Sequence, residues 1–212
     1  MSVQQEKFKE IADAIREKTN STGKIKPSEF AGKVDEVYEA GKANGRISFM
    51  EDFQQHGERT NYFMAFCGFY DNVYDPIYPI KGNNIKQVFQ YSKVTDTKVD
   101  IDATIGNDLN YAFATSQVVT VRKLIVSEKT TYSYAFRYAE KLVEIRFEGV
   151  IGQNIDFTSC PLSHESLLDI LSHLKDISGT GETRTLTLGS KNLAKLTDAE
   201  KAIATTKGWT LL

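Results

Sequence analysis

Asp100-Ile101-Asp102-Ala103-Thr104 carries two carboxylates and a hydroxyl at alternate positions. An Asp-x-Asp-x-Thr run can serve phosphoryl transfer, the first Asp attacking phosphorus and the second handling the proton. That chemistry needs a doubly wound βαβ frame, and no such pattern follows this segment. The expectation is therefore a strand exit with solvated carboxylates. The same residues mimic a calcium loop, but the turn glycine falls one place late, at Gly106, and Tyr111 stands where a Glu ligand is needed. A second cluster, His164, Glu165, Asp169 and His173, lies on one helix. Glu165, Asp169 and His173 share a face at spacings of four, which could hold a metal. The run is not His-Glu-x-x-His, and a solvated helix face is expected instead. Cys67 and Cys160 are far apart with no ligand-spaced partner, so zinc is not expected, nor is a disulfide framework. There is no Gly-x-Ser-x-Gly elbow and no phosphate-binding Gly-x-x-x-x-Gly-Lys-Ser/Thr loop; Gly179-Thr180-Gly181-Glu182 reads as a turn. No catalytic, cofactor-binding or metal-ligating residue is assigned, and enzyme activity is not expected.

What must position these residues follows from composition and pattern. The chain has 212 residues, an apolar share of 41% and a charged share of 25%, an ordinary balance for one sizeable domain or two small ones. Lys and Arg number 26 against 28 Asp and Glu, so a broad electrostatic nucleic-acid surface is not expected. No apolar run approaches the ~20 residues that span a bilayer. Met1-Ser2-Val3-Gln4-Gln5-Glu6 lacks a basic segment followed by an apolar one, so no signal peptide is expected either.

The aromatics mark a repeat. Phe66, Phe89, Phe113, Phe136 and Phe157 follow one another at nearly even steps, and two of them close Tyr-Ala-Phe units. After each comes a polar turn and a short alternating run, among them Tyr78-Pro79-Ile80, Val99-Asp100-Ile101, Val121 to Val126, Leu142 to Phe147 and Leu186-Thr187-Leu188. Alternation of period two reads as a strand with one buried face. A unit of ~20–29 residues cannot bury its own apolar face, so neighbours stack and share a core. The pattern predicts an α/β fold: a solenoid of short parallel strands over 46–212, with the phenylalanines stacked as an inner column. A plain globular α/β domain is the alternative. Pro76 and Pro79 suggest an edge position for the Ile80 strand. Leu167, Leu168, Ile170, Leu171 and Leu174 form a helical stripe with Ser163 as N-cap, so one unit is expected to carry a full helix on its convex side. Thr197 and Glu200 form a capping box, Gly208 ends that helix, and Trp209-Thr210-Leu211 adds a final strand as part of a C-terminal cap.

Residues 1–45 lack the aromatic repeat and read as a separate helical module for assembly or attachment. Phe8, Ile11, Ala12 and Ile15 form one helical stripe; Phe30, Val34, Val37 and Tyr38 form another. Such short helices must pack on each other, on the repeat stack or on another subunit. Phe8, Ile11, Ile15, Phe30 and Val34 are the residues through which the module would self-associate into a homo-oligomer.

Two segments carry a family resemblance. Ile11-Ala12-Asp13-Ala14-Ile15-Arg16-Glu17-Lys18-Thr19 followed by Lys24-Ile25-Lys26-Pro27-Ser28-Glu29-Phe30 is similar to a short helical module of tail and accessory proteins of phages and prophages of low-GC Gram-positive bacteria. The stretch from about 49 to 211 resembles the aromatic-rich, surface-antigen type of leucine-rich repeat, through Phe53-Gln54-Gln55-His56-Gly57, the Tyr-Ala-Phe units and Gly149-Val150-Ile151-Gly152-Gln153-Asn154-Ile155-Asp156-Phe157. The resemblance implies a leucine-rich-repeat-like solenoid in a non-enzymatic phage structural or host-interaction protein. It would reside in the virion or the bacterial host cytoplasm. A bacterial repeat adhesin or an intracellular protein-binding module is the alternative.

A partner surface follows from strand alternation. The residues between the buried positions face out: Asp100, Lys123, Ile125, Glu144, Arg146 and Thr187. Alignment of the strands places Asp100, Ile125 and Arg146 side by side. The row mixes acid, base and an apolar group, which suits a protein or glycan partner and neither nucleic acid nor a membrane.

Overall fold

The computed structural model describes residues 79–212 together with Ala65, Phe66 and Pro76. The helical module, its five assembly residues and Cys67 lie outside the described residues. The described chain is a mixed α/β structure with short parallel strands in two sheets. The first is four-stranded in the order β1 (Ile80–Lys81), β2 (Asp100–Asp102), β3 (Thr120–Val126) and β4 (Glu144–Gly149). The second is three-stranded, β5 (Ile155–Asp156), β6 (Arg184–Thr187) and β7 (Trp209–Leu211). Helix α1 (His164–His173) separates β5 from β6; α2 (Gly189–Leu193) and α3 (Asp198–Thr206) separate β6 from β7. Neither sheet closes into a barrel. Among the described residues β1 is an edge strand, as its two prolines imply.

The buried members of the first sheet are Ile80, Ile101, Val121, Leu124, Val126, Ile145 and Phe147, and the residues between them reach solvent or are half-buried. Behind the sheet runs the phenylalanine column. Successive rings from Phe66 to Phe157 lie 5.1, 5.5, 5.4 and 4.5 Å apart, stacked, and all five are buried. The spacing matches the ~4.8 Å between hydrogen-bonded strands, so one ring per unit stays in register with the backbone.

Backbone bonds explain how the turns around each ring hold that register. The N–H groups of Gln87, Phe89 and Tyr91 donate to the carbonyls of Asn110, Ala112 and Ala114 (2.9, 2.7 and 3.0 Å). One unit on, Tyr111, Phe113 and Thr115 donate to Ser133, Ala135 and Arg137 (3.0, 2.8 and 2.8 Å). The residues two before and two after Phe89, Phe113 and Phe136 adopt left-handed backbone: Gln87 and Tyr91, Tyr111 and Thr115, Tyr134 and Tyr138, with φ between 52° and 56°. Left-handed side-chain-bearing residues are uncommon. Here they curl the chain tightly around these three rings while every second N–H points at the next turn.

The strand register departs from the sequence alignment. Ile101 pairs with Leu124 and Leu124 with Phe147, so the offset is the same at both steps. Placing Arg146 beside Ile125 needs a shorter offset and is incorrect. Between Val121 and Leu124 stand two residues, whereas between Ile145 and Phe147 stands one, and the ladder shifts there. Arg122 and Lys123 together oppose Arg146, a β-bulge that keeps both apolar pairs in the core.

Helix α1 begins where the sequence places its cap: Ser163 Oγ accepts from the Ser166 N–H. The helix lies along the open edge of β4. The Ile145 N–H donates to Ser166 Oγ (3.0 Å) and the Phe147 N–H to Asp169 Oδ2 (2.7 Å). Two helix side chains thus supply the acceptors a fifth strand would have supplied, and the edge is closed to further pairing. Asp169→Ala should remove the acceptor of a sheet N–H and cost about 1–3 kcal/mol. Asp169→Asn, which keeps a carbonyl oxygen, should recover about half of that loss in urea unfolding. Equal stability of Ala and Asn variants would show that the bond contributes nothing.

The C-terminal part is as expected in α3 and β7 and richer elsewhere. Thr197 and Glu200 form the reciprocal capping box of α3, and β7 pairs with β6. The strand foreseen at Leu186-Thr187-Leu188 runs instead over β6, and Leu188 leads into α2, a five-residue helix the sequence pattern does not announce. Buried Asn192 on α2 donates from Nδ2 to the carbonyls of Cys160 (2.8 Å) and Leu188 (3.0 Å), tying α2 to the chain after β5.

Candidate functional site

The exposed face of the first sheet holds five of the six residues foreseen for partner binding. Asp100 pairs in register with Lys123, and Asp102 with Ile125. Ile125 in turn pairs with Glu148. The row is therefore Asp102, Ile125 and Glu148 and not Asp100, Ile125 and Arg146: both neighbours of Ile125 sit two residues further along their strands. Thr187 belongs to the second sheet and does not share this face.

Charges on the face largely satisfy one another. Lys81 Nζ lies 3.1 Å from Asp102 Oδ2, and Lys123 Nζ lies 2.8 Å from Glu148 Oε2 and 3.7 Å from Asp100 Oδ2. Arg122 Nε approaches Asp100 Oδ1 at 3.3 Å. Lys81, Arg122, Lys123 and Arg146 stand against Asp100, Asp102, Glu144 and Glu148, so the face carries no net charge. The Glu148 hydrogen bond, followed by the charges of Glu148 and Asp100, raises the Lys123 ammonium above its usual value. The pairs are exposed, so each adds little stability; their effect is a mixed polar surface around one half-buried apolar residue, Ile125.

Glu144 and Arg146 have a second engagement. Glu144 Oε2 accepts from Ser166 Oγ (3.2 Å), and Arg146 Nη1 donates to the Glu165 carbonyl (2.9 Å). Both hold α1 to β4. A groove of about 490 Å³ opens beside them, bordered by Asp96, Thr120, Arg122 and Arg146.

The other constellations resolve into local structure. Asp102 Oδ1 accepts from the Thr104 N–H (2.9 Å) and from Thr104 Oγ1 (2.6 Å). Burial opposes the ionised form, but the Thr104 and Lys81 hydrogen bonds outweigh it and hold the Asp102 carboxyl below its usual range. The same turn recurs at Asp156 with Thr158, again at a strand end, and at Asp176 with Ser178 after α1, so this Asp-x-Ser/Thr unit is a repeated local turn. Along α1, His164 Nε2 meets Glu200 Oε1 at 3.0 Å, Asp169 is committed to β4, and His173 Nδ1 lies 2.8 Å from the Asp169 carbonyl. No group of three His, Cys, Asp or Glu suited to a metal occurs among the described residues. Cys160 is buried, and burial followed by the Asp156 charge pushes its thiol far up. No helix among the described residues is long and apolar enough to cross a membrane.

Sequence reasoning missed the exposed tyrosines. Tyr111 and Tyr134 are stacked at 5.0 Å, and the Arg137 guanidinium lies 5.4 Å from the Tyr134 ring centre and 4.8 Å from that of Tyr138. The signal is the Tyr before each Ala-Phe, which carries chemistry as well as spacing. Comparison of the chain with protein-family models, curated proteins and solved structures gives no match.

Proposed function

We propose that this chain is a non-enzymatic phage or prophage structural or accessory protein. In this reading residues 46–212 form a leucine-rich-repeat-like solenoid that binds a protein or glycan partner, and the N-terminal helices assemble or attach it. The observation that carries the reading is the column of five stacked phenylalanines at near-even intervals along the chain, with the same ladder of turn hydrogen bonds recurring beside its rings. A unit that repeats its core and its backbone bonding leaves a repeated outer surface, and such surfaces are what stacked repeats offer to partners. The neutral, mixed face around Ile125 favours a partner of similarly mixed polarity.

Three measurements test it. A chain lacking residues 1–45 should remain folded by circular dichroism and sediment as a smaller assembly than the full chain; an unchanged subunit number overturns the assembly role. An antibody to the chain should label purified phage particles or the lysate of induced cells, and expression independent of phage induction overturns the phage assignment. Once a partner has been cross-linked to the face, Ile125→Glu should lower its affinity by about tenfold at unchanged melting temperature. Unchanged affinity would place the interface elsewhere.

A further inference from the structure

A second surface lies where the Tyr-Ala-Phe turns meet the second sheet. A groove of about 420 Å³ runs between Tyr134 and Arg137 on one side and Asn154, Asp156, Thr185 and Thr187 on the other. Buried Phe136 and Ile155 form part of its lining. Thr187, foreseen for partner binding, is thus part of this groove and not of the first sheet's face.

Its chemistry is specific. Tyr134 stays 56% exposed even though it stacks on Tyr111 and lies beside Arg137. Large aromatic surface left in water is unfavourable unless something covers it. The ring is also held firmly. Tyr134 has a φ of 52°, and the N–H groups of Tyr111 and Arg137 donate to the carbonyls of Ser133 and Tyr134 (3.0 and 3.1 Å). An ordered platform loses little entropy when a ligand lands on it. Around the platform, donors and acceptors alternate. Asn154 spends its Oδ1 on the Thr185 N–H (2.8 Å), which leaves its NH₂ as a donor. Asp156 spends Oδ1 on Thr158 and keeps its second oxygen as an acceptor. Arg137 offers guanidinium donors, and the Thr185 and Thr187 side chains border the same groove.

We propose that this groove binds a neutral saccharide. A sugar ring presents a flat C–H face that packs on an aromatic ring and vicinal hydroxyls that each donate and accept. The groove matches both halves: a tyrosine platform, and adjacent amide, carboxylate, guanidinium and threonine hydroxyl groups. One arginine against one aspartate leaves the lining uncharged overall, which disfavours phosphate and polyanionic glycans. The inference rests on reading the chain as a binding protein, but not on the first sheet's face, from which the groove is distinct.

The test uses the full chain and an array of neutral oligosaccharides, with sulfated and phosphorylated glycans as the charged arm, followed by calorimetry with the strongest neutral binder. Tyr134→Gly removes the platform at a φ that glycine adopts freely, so the variant should fold. It should lower affinity by about tenfold or more, while Tyr134→Phe should stay within about threefold of the parent. Ile125→Glu, on the first sheet's face, should leave sugar affinity unchanged. Failure to bind any neutral glycan, preference for the charged arm, or equal affinity in Tyr134→Gly overturns the saccharide site. A partner lost on Ile125→Glu would still uphold the general binding reading in that event, so the two failures are separable.

Discussion

Phe113→Ala should destabilise the protein by about 3–5 kcal/mol, the range for large core aromatics. Phe113 is the middle ring of the column. It stacks on Phe89 at 5.5 Å and 8° and on Phe136 at 5.4 Å and 2°, and it is fully buried. Truncation removes both ring contacts and leaves a void that the backbone cannot close, because the turn N–H groups on either side are already bonded to the next unit. The neighbouring rings lose packing on one face each, so the cost exceeds that of one exposed aromatic. At about 2–4 °C per kcal/mol for a chain of this size, the melting temperature should fall by roughly 6–20 °C. Phe113→Leu, which refills part of the void, should lose less than half as much. A loss below about 1 kcal/mol for the Ala variant would mean that the column does not carry the core.

The same column was the most legible part of the fold. Five phenylalanines at near-constant spacing need only one-dimensional information, because each ring stacks on the next one in chain order. Strand alternation was legible for the same reason at Ile101, Leu124 and Ile145. Register was not. Arg146 beside Ile125 implies that the last apolar residues of the two runs, Val126 and Phe147, are equivalent, whereas Val126 pairs with Gly149. The extra residue in Val121-Arg122-Lys123-Leu124 relative to Ile145-Arg146-Phe147 is absorbed by a bulge, and only the paired strands show where. The place of Arg146 is a separate matter: Glu148, two residues further along β4, stands opposite Ile125. The caps at Ser163 and Thr197 were legible because a cap is a contact over three residues. Helix α2 was not, because five residues carry too little pattern and its anchor, Asn192, reaches a carbonyl 32 residues earlier.

The sites divide in the same way. The charged face could be foreseen from strand alternation, but its ion pairs bridge successive units and depend on the true register, as Lys123 with Glu148 shows. Glu144 and Arg146 read as free strand residues in sequence; their bonds to α1 join elements nearly one repeat apart along the chain. The tyrosine groove is assembled from Tyr134 and Thr185, which lie far apart in sequence, on a turn and on the second sheet. Nothing local in either segment announces the other. Tyrosines at left-handed positions also oppose simple propensity, which would have placed such residues within strands.

Gly149→Ala should cost about 2–4 kcal/mol, with Gly181→Ala as its control. Gly149 ends β4 with a φ of 95°, a region L side chains rarely adopt. A methyl built there would sit 2.0 Å from the Val126 carbonyl oxygen, the register partner across the sheet. Backbone cannot rotate away as a flexible side chain would, so the strand end must shift and the ladder between Val126 and Gly149 must open. Strained φ costs about 1–3 kcal/mol, and a lost sheet hydrogen bond adds about 1 kcal/mol. Gly181, in the turn before β6, also has positive φ, 77°, but nothing stands within 4 Å of its added methyl. Gly181→Ala should therefore cost only the conformational part, about 1–2 kcal/mol. The difference between the two variants in urea unfolding isolates the close approach of β3 and β4 from the backbone preference itself. Equal losses would show that the sheet edge at Val126 yields without cost. In that case the sharp exit after β4, which carries the chain away from the first sheet toward β5, is set by the turn residues beyond it.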